Sequence, residues 1–252
     1  MRRAGYNPVR RNRNIGTAKQ GHGQNNRLVI PDRLRSDRNW RELLNKHQLV
    51  TRTVGGRTFN FIVEDNRLGC VHACSVDDMC RVLSHIPPAD LEGLDTLVLR
   101  QPTRKQRALS PVWGRLIYSA DLGYPGRKSL SFGPTVFIEA RDPEKTLDWS
   151  TSLDPDRQLE LDRLRRDGHV IEQVGGRHVF HITLANIRAT QLYRTLIHEI
   201  GHWVDWLEKV ERPTEQGGDY EALMDAYFSR PSKEREAFAH RYADETRERL
   251  MR

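Results

Sequence analysis

His198-Glu199-Ile200-Gly201-His202 is the stretch that says most about this chain. It lies in residues 187–209, where apolar residues recur every three or four positions, a pattern that predicts a helix. On that helix His198 and His202 leave the same face one turn apart and can hold one zinc ion. Glu199 then lies beside the metal, where a carboxylate can take a proton from activated water. The same pattern also occurs by chance in structural helices, so its surroundings decide the interpretation.

Two neighbours support an active site. Gly201 costs about 1 kcal/mol relative to alanine inside a helix, which indicates that a neighbouring backbone or a substrate needs the space. Asp205 lies on the same stripe as the histidines. It can orient a ligand histidine through a hydrogen bond, or it can pair with Lys209 at the surface.

A catalytic zinc usually has three protein ligands, and no third histidine follows His202 closely. Residues 233–249 have the pattern of a final helix, on which Glu236 shares one face with alanines. An acid on a face that becomes buried needs an ion-pair partner or a metal ion. We expect Glu236 to be the third ligand, with Glu234 and Glu221 as alternatives. Glu236 could instead pair with a neighbouring arginine.

The segment from His198 to Asp205 (HEIGHWVD), with Glu236 to Ala239 (EAFA), resembles the gluzincin peptidases of the anthrax lethal factor type, including the Pro-Pro endopeptidases. The resemblance covers about twelve residues. It implies that Glu236 is a zinc ligand and that a strand near the active-site helix binds extended peptide, for which we expect residues 135–140. A looser resemblance is to the peptidases that cleave phage repressors, although Phe238 stands where that family has asparagine.

The same resemblance implies a tyrosine, seven residues before the glutamate, that stabilises the oxyanion. Ser229 occupies that position here, so Tyr227 is the candidate, with Tyr220 and His240 as alternatives. A phenol hydroxyl can donate to developing charge. Tyr227 could also be an ordinary packing residue.

The charge of the chain is uneven. Of its 252 residues, the first 31 hold seven basic residues and no acidic one, and the remainder is balanced. Residues 1–28 have few large apolar groups and are predicted to form a disordered basic arm that could contact nucleic acid or an anionic surface weakly. Neither a signal peptide nor a membrane span is expected, so the default compartment is the cytoplasm, with signal-less export as an alternative.

The order of elements predicts an α+β fold. The resemblance implies that this fold is a zincin-like catalytic domain with a small mixed or antiparallel sheet, an active-site helix and a C-terminal helix that carries the glutamate. Residues 29–90 are an N-terminal α/β extension, either separate from or continuous with the catalytic domain at 91–252. Glycine pairs at Gly55-Gly56 and Gly175-Gly176 predict two hairpins. Residues 37–47 have helical spacing. Residues 75–78 have the form of a capping box that opens a helix, and Ser232 is a good N-cap for the last helix.

Three cysteines, Cys70, Cys74 and Cys80, are interpreted as free thiols, since their spacing matches no common zinc knuckle. The sequence thus predicts a zinc endopeptidase that acts on protein or peptide substrates. The alternative from another class is a nucleic-acid-associated or regulatory protein with a structural zinc and the basic arm. A zincin-like binding module without activity is a third interpretation, which the intact Glu199 disfavours.

Overall fold

The computed structural model describes residues 40–109, 112–123, 129–145 and 147–251. The predicted basic arm at residues 1–28, and with it the nucleic-acid interpretation, lies outside the described residues. The described residues form one compact unit. Within the described part of the chain, no helix has the length and apolar character needed to cross a membrane.

A six-stranded mixed sheet organises the molecule, with the strand order β1-β5-β6-β4-β3-β2. β4 pairs in parallel with both β3 and β6, and β1 pairs in parallel with β5, while the other pairings are antiparallel. A second, antiparallel sheet has the order β7-β9-β8. The strands are β1 (Trp40–Leu43), β2 (His47–Val54), β3 (Arg57–Glu64), β4 (Thr96–Arg100), β5 (Gly114–Gly123), β6 (Ser129–Glu139), β7 (Leu147–Ser150), β8 (Val170–Val174) and β9 (Arg177–His181).

The helices fall between and after the strands, and the last four follow one another closely. They are α1 (Val76–Leu83), α2 (Arg104–Leu109), α3 (Pro155–Arg166), α4 (Leu184–Thr190), α5 (Ile197–Trp206), α6 (Arg212–Glu215), α7 (Tyr220–Ser229) and α8 (Ser232–Leu250). Wide π-helical turns at Gln191–Leu196 and Leu207–Glu211 join α4, α5 and α6 into one continuous run. Such turns are frequent at functional sites. The mixed α and β composition predicted from the sequence is confirmed.

Both glycine pairs form the predicted hairpin turns. Gly55 and Gly56 connect β2 to β3 with φ values of 56° and 80°, which residues other than glycine rarely adopt. Gly175 and Gly176 connect β8 to β9 in the same way. The β2–β3 hairpin belongs to the same sheet as β4, β5 and β6, so part of the 29–90 segment is continuous with the sheet beside the candidate site.

The start of α1 is fixed by side chains. Ser75 Oγ accepts from the backbone N–H of Asp78 at 3.1 Å, and Asp78 Oδ2 accepts from the N–H of Ser75 at 3.0 Å, a reciprocal pair that satisfies two free donors at the helix start. Arg188 of α4 also donates to Asp78, through Nε at 3.0 Å. This ion pair holds the pKa of the Asp78 carboxyl below its usual value.

Two predictions were wrong, one about the type of an element and one about a helix cap. Over residues 40–47, the described part of the helix expected at 37–47, the structure has strand β1, a short connection and the first residue of β2. Backbone pairing of residues 40–43 with residues 120–123 of β5 overrides the helical spacing of the side chains. Ser232 was expected to cap the last helix. It lies inside α8 after Pro231, which occupies the capping position without a side-chain hydrogen bond.

The sheet is buried on both faces, as the alternation along β4 and β6 shows. Leu97 and Leu99, with Val136 and Ile138, face the main core, which also contains the apolar residues of α1 and α5. Phe137 and its neighbours on the opposite face form a smaller cluster. α5 therefore lies against the sheet on one side and contacts α8 on the other.

A buried ionic network crosses the edge of the sheet. Arg100 of β4 donates to Glu42 of β1 at 3.0 Å and contacts Glu64 of β3 at 3.4 Å, and all three residues are buried. Glu42 also accepts from Arg115 of β5 at 2.9 Å. One carboxylate thus connects the first described strand to a strand that reaches the candidate site.

Candidate metal centre

Three side chains from α5 and α8 converge on one point. His198 Nε2 lies 3.1 Å from His202 Nε2. Glu236 Oε2 lies 3.3 Å from His198 Nε2, and Glu236 Oε1 lies 3.4 Å from His202 Nε2. The structure brings these three predicted ligands together, and no other such group of potential ligands occurs among the residues it describes.

The spacing of these atoms can be tested against a zinc ion. With bond lengths of about 2.0–2.2 Å in a tetrahedron, neighbouring ligand atoms lie about 3.4 Å apart. The three observed separations, 3.1 Å, 3.3 Å and 3.4 Å, are close to that value. The side chains of His198 and His202 are 13% and 12% exposed, whereas Glu236 is 48% exposed, so the cluster opens to solvent on the glutamate side. The geometry and donor set fit a tetrahedral ion with one open position.

Close packing of two helices creates this geometry. A Cβ atom on Gly201 would lie 3.0 Å from Ala239 Cα and 3.1 Å from Ala239 O. Glycine therefore admits the backbone of α8, as its position inside the helix indicated. Ala239 and Ala243 are both buried, so the small residues of α8 allow the two helices to approach closely.

Glu199 is directed from α5 toward strand β5. Its carboxylate oxygen Oε2 accepts a hydrogen bond from the backbone N–H of Leu116 at 2.8 Å, and the residue is buried. Burial raises the pKa of Glu199, although the neighbouring histidines and the Leu116 N–H oppose this effect. A raised pKa makes a carboxylate a stronger proton acceptor.

The ligand cluster is electrostatically coupled. Hydrogen bonds from His198 and His202 hold the pKa of Glu236 below its usual value. Burial acts to lower the pKa of His202, but Glu236 and Glu199 together raise it. His240 packs against His198 with ring centroids 4.4 Å apart, and burial and the charge of His198 lower the pKa of His240 to about 3. His240 is therefore uncharged at neutral pH.

Asp205 pairs with cations. It is fully buried, with Oδ2 accepting from Arg230 Nη1 at 2.8 Å and Oδ1 in an ion pair with Lys209 Nζ at 3.0 Å. Of the two sequence interpretations, the pairing with Lys209 is observed, although in a buried setting. Within the described residues, the buried Nδ1 of His198 has no hydrogen-bond partner, so Asp205 does not orient that ring.

Tyr227 lies behind the cleft rather than in its lining. It is 2% exposed, and its hydroxyl lies 3.0 Å from the hydroxyl of Tyr118 on β5. Tyr118 itself lines a cavity of about 330 Å³ together with the three ligand residues and Glu199. Sequence reasoning missed Tyr118, because residues 118 and 119 lie at a register shift that no local pattern predicts.

The remaining alternatives lie apart from the ligand cluster. Glu234 contacts Arg230 at 3.7 Å, and neither Glu234 nor Glu221 belongs to the ligand group. Tyr220 packs against Trp206 with ring centroids 6.4 Å apart. The three cysteines are free, and burial raises the pKa of the Cys74 thiol to about 12.

Strand β6 does not have a free edge at residues 135–140, where substrate binding was expected. Residues 135–138 pair with β5, and residues 135–139 pair with β4, so the backbone groups of both edges are used. β5 differs, because β1 pairs with it only at residues 120–123. At residues 114–118, the edge of β5 away from β6 has no partner among the described strands, and Leu116 donates from that edge to Glu199.

Comparisons of the chain with protein-family models, with curated proteins and with solved structures gave no match. The function is therefore interpreted from the side chains of the site and their surroundings.

Proposed function

We propose that this protein is a zinc-dependent endopeptidase of the gluzincin type with a zincin-like catalytic domain. The observation that carries the proposal is the spacing of the His198, His202 and Glu236 ligand atoms, which matches the edge of a zinc tetrahedron. The buried carboxylate of Glu199 in the same cleft adds a proton acceptor, which a purely structural metal site does not need. The substrate is a protein or peptide.

The chain supplies the proton transfers. A zinc ion held by the three ligands would polarise the scissile carbonyl and lower the pKa of water to about 7. Glu199 takes the proton of the attacking water and passes it to the leaving amine. The Leu116 N–H holds the Glu199 carboxylate in one orientation, so its second oxygen can face the reacting atoms.

The open edge of β5 is the place for an extended substrate. A peptide lying along residues 114–118 would pair with the other backbone groups of this edge, while the Leu116 N–H stays on Glu199, which is a partial form of strand addition. This assignment replaces β6, whose edges are both paired. Beside Glu236, a neighbouring groove of about 550 Å³ with Leu159, Ala237 and His240 in its wall extends the available surface.

Tyr118 is the better-placed phenol for the oxyanion, and Tyr227 acts through it. In the arrangement in which Tyr227 donates its proton to the Tyr118 oxygen, and not to Asp205, its other hydrogen-bond partner, Tyr118 keeps its own proton for a group in the cleft. We expect Tyr118→Phe to reduce kcat more than it raises KM, because a hydrogen bond formed to developing charge acts in the transition state.

Metal analysis and peptide cleavage test the proposal together. The wild type is expected to bind one zinc per chain, Glu236→Ala to lose it, and the matched control Glu234→Ala to keep it. Glu199→Gln should retain stoichiometric zinc and lose about 10²–10⁴-fold in cleavage rate, the usual contribution of a general base. Full peptidase activity in zinc-loaded Glu199→Gln would refute the mechanism.

A further inference from the structure

Two arginines line the same cleft as the candidate ligands, and their surroundings differ. Arg115 is paired with Glu42 at 2.9 Å, and its guanidinium lies over the ring of Phe137 at 5.0 Å. Arg235, in the first turn of α8, has no carboxylate partner among the residues that the structure describes. Arg235 is therefore the cleft cation whose charge is not neutralised by a described neighbour.

Aromatic rings position this cation. The Arg235 guanidinium carbon lies 5.6 Å from the ring centroid of Tyr227 and 5.4 Å from that of Phe228. The Nε atom of Arg235 is buried and has no hydrogen-bond partner in the described structure. A buried donor without a partner costs free energy, and because Nε is buried, a ligand in the cleft would bind the Nη groups of the guanidinium.

The preferred partner of such a group is a carboxylate. The guanidinium donates two parallel hydrogen bonds to a carboxylate, a stronger and more directional contact than it forms with neutral groups. The carboxylates of the site itself are otherwise engaged, since Glu236 contacts both histidines and Glu199 accepts from Leu116. A bound peptide can supply such a carboxylate.

We propose that Arg235 selects peptides that carry an acidic side chain close to the scissile bond. This inference rests on the proposed peptidase function and adds a substrate class to it. Arg235 is a specificity-determining residue that binds the substrate side chain, and Arg115 contributes little because Glu42 already neutralises it.

The test measures binding and cleavage separately. Short peptide pools with one central position fixed as Glu, Gln or Lys are titrated into the zinc-loaded, full-length Glu199→Gln protein. The Glu pool is expected to bind at least about tenfold more tightly than the Gln pool, as for a charge-assisted hydrogen bond. Cleavage of the same pools by the wild type tests the peptidase function independently.

Variants of Arg235 in the same background assign the preference. Arg235→Gln should reduce the Glu-to-Gln ratio to about one, and Arg235→Glu should favour the Lys pool. Arg241→Gln is the matched control, because Arg241 is on the same helix, stacks on Phe238 at 5.3 Å and lies outside the cleft lining, so the ratio should persist.

Two results would overturn the inference. One is a Glu-to-Gln binding ratio near one in the Glu199→Gln protein with Arg235 intact, or no binding of any pool to it. The other is an Arg235→Gln variant that weakens the Glu and Gln pools by the same factor, which would indicate a contact with the peptide backbone. If pools bind with the expected ratio but the wild type cleaves none of them, the carboxylate site stands and the peptidase function fails.

Discussion

Replacing Gly201 by alanine places a methyl group against the backbone of α8. The new Cβ atom would lie 3.0 Å from Ala239 Cα, 3.1 Å from Ala239 O and 3.2 Å from Tyr242 Cβ. Ordinary contacts between carbon atoms are about 3.5–4.0 Å, so α8 must move away from α5 by about 0.5 Å. Glu236 is on the helix that moves, and both histidines are on the helix that stays.

The expected effects on stability and on metal binding differ in size. Alanine gains about 1 kcal/mol in helix propensity, while overpacking costs about 1–3 kcal/mol, so the metal-free protein should lose about 0–2 kcal/mol. A metal site tolerates ligand displacements of only about 0.2 Å. We therefore expect the zinc affinity to fall about 10–100-fold, comparable to the loss of a group that supports a ligand.

Competition with a chromophoric zinc chelator measures the affinity, and urea unfolding of the metal-free protein measures the stability. Gly201→Val should weaken zinc binding further than Gly201→Ala, because the larger side chain displaces α8 more. Glu208→Ala, an exposed position on the same helical run, is the control and should change neither quantity appreciably. Wild-type zinc affinity in Gly201→Ala, together with higher stability, would refute the packing argument.

Three further predictions concern groups outside the ligand set. Asp205→Asn should lower the free energy of unfolding by about 2–4 kcal/mol in urea, because Arg230 would lose its buried carboxylate partner; a loss below about 0.5 kcal/mol would contradict this. Asp78→Asn should cost about 1–2 kcal/mol at neutral pH. Since Arg188 depresses the pKa of Asp78 in the folded state, its contribution is present above the ordinary value of about 3.9 and is lost as the pH falls below it, so wild type and variant should converge in acid unfolding. A constant difference would argue against the ion pair. Cys74, whose pKa is raised to about 12, should resist iodoacetamide at pH 8 in the folded protein and react in urea, as mass spectrometry can show.

Local patterns predicted much of the fold. The Gly55-Gly56 turn requires positive φ values, which favour glycine. The Ser75 capping box satisfies two backbone N–H groups through residues that lie within one stretch of four. Both features can therefore be identified without knowing the rest of the molecule. The same holds for His198 and His202, whose meeting depends only on helical periodicity. The structure also has Glu236 beside the two histidines. In the sequence, its place on an alanine-rich helix face had indicated that this acid needs a partner.

Features that depend on distant pairing could not be predicted in this way. β1 is a strand because residues 40–43 pair with residues 120–123, and its own side chains have helical spacing. That β6 is an internal strand follows from the sheet order, which local sequence does not encode. Tyr118 reaches the cleft through a register shift in β5, so its position becomes visible only in three dimensions.

Glu42 gives the first described strand an influence on the cleft that its short length does not suggest. One carboxylate pairs with both Arg100 and Arg115, and Glu64 supplies the second negative charge beside Arg100, so β1 brings one of the two counter-charges to the sheet edge. Removing this strand would leave Arg100 short of one buried partner and release Arg115 as a second uncompensated cation at the cleft. The charge presented to a ligand is thus set by whether residues 40–43 are docked, and cleavage of the chain near this strand would change the recognition surface without touching any residue in it.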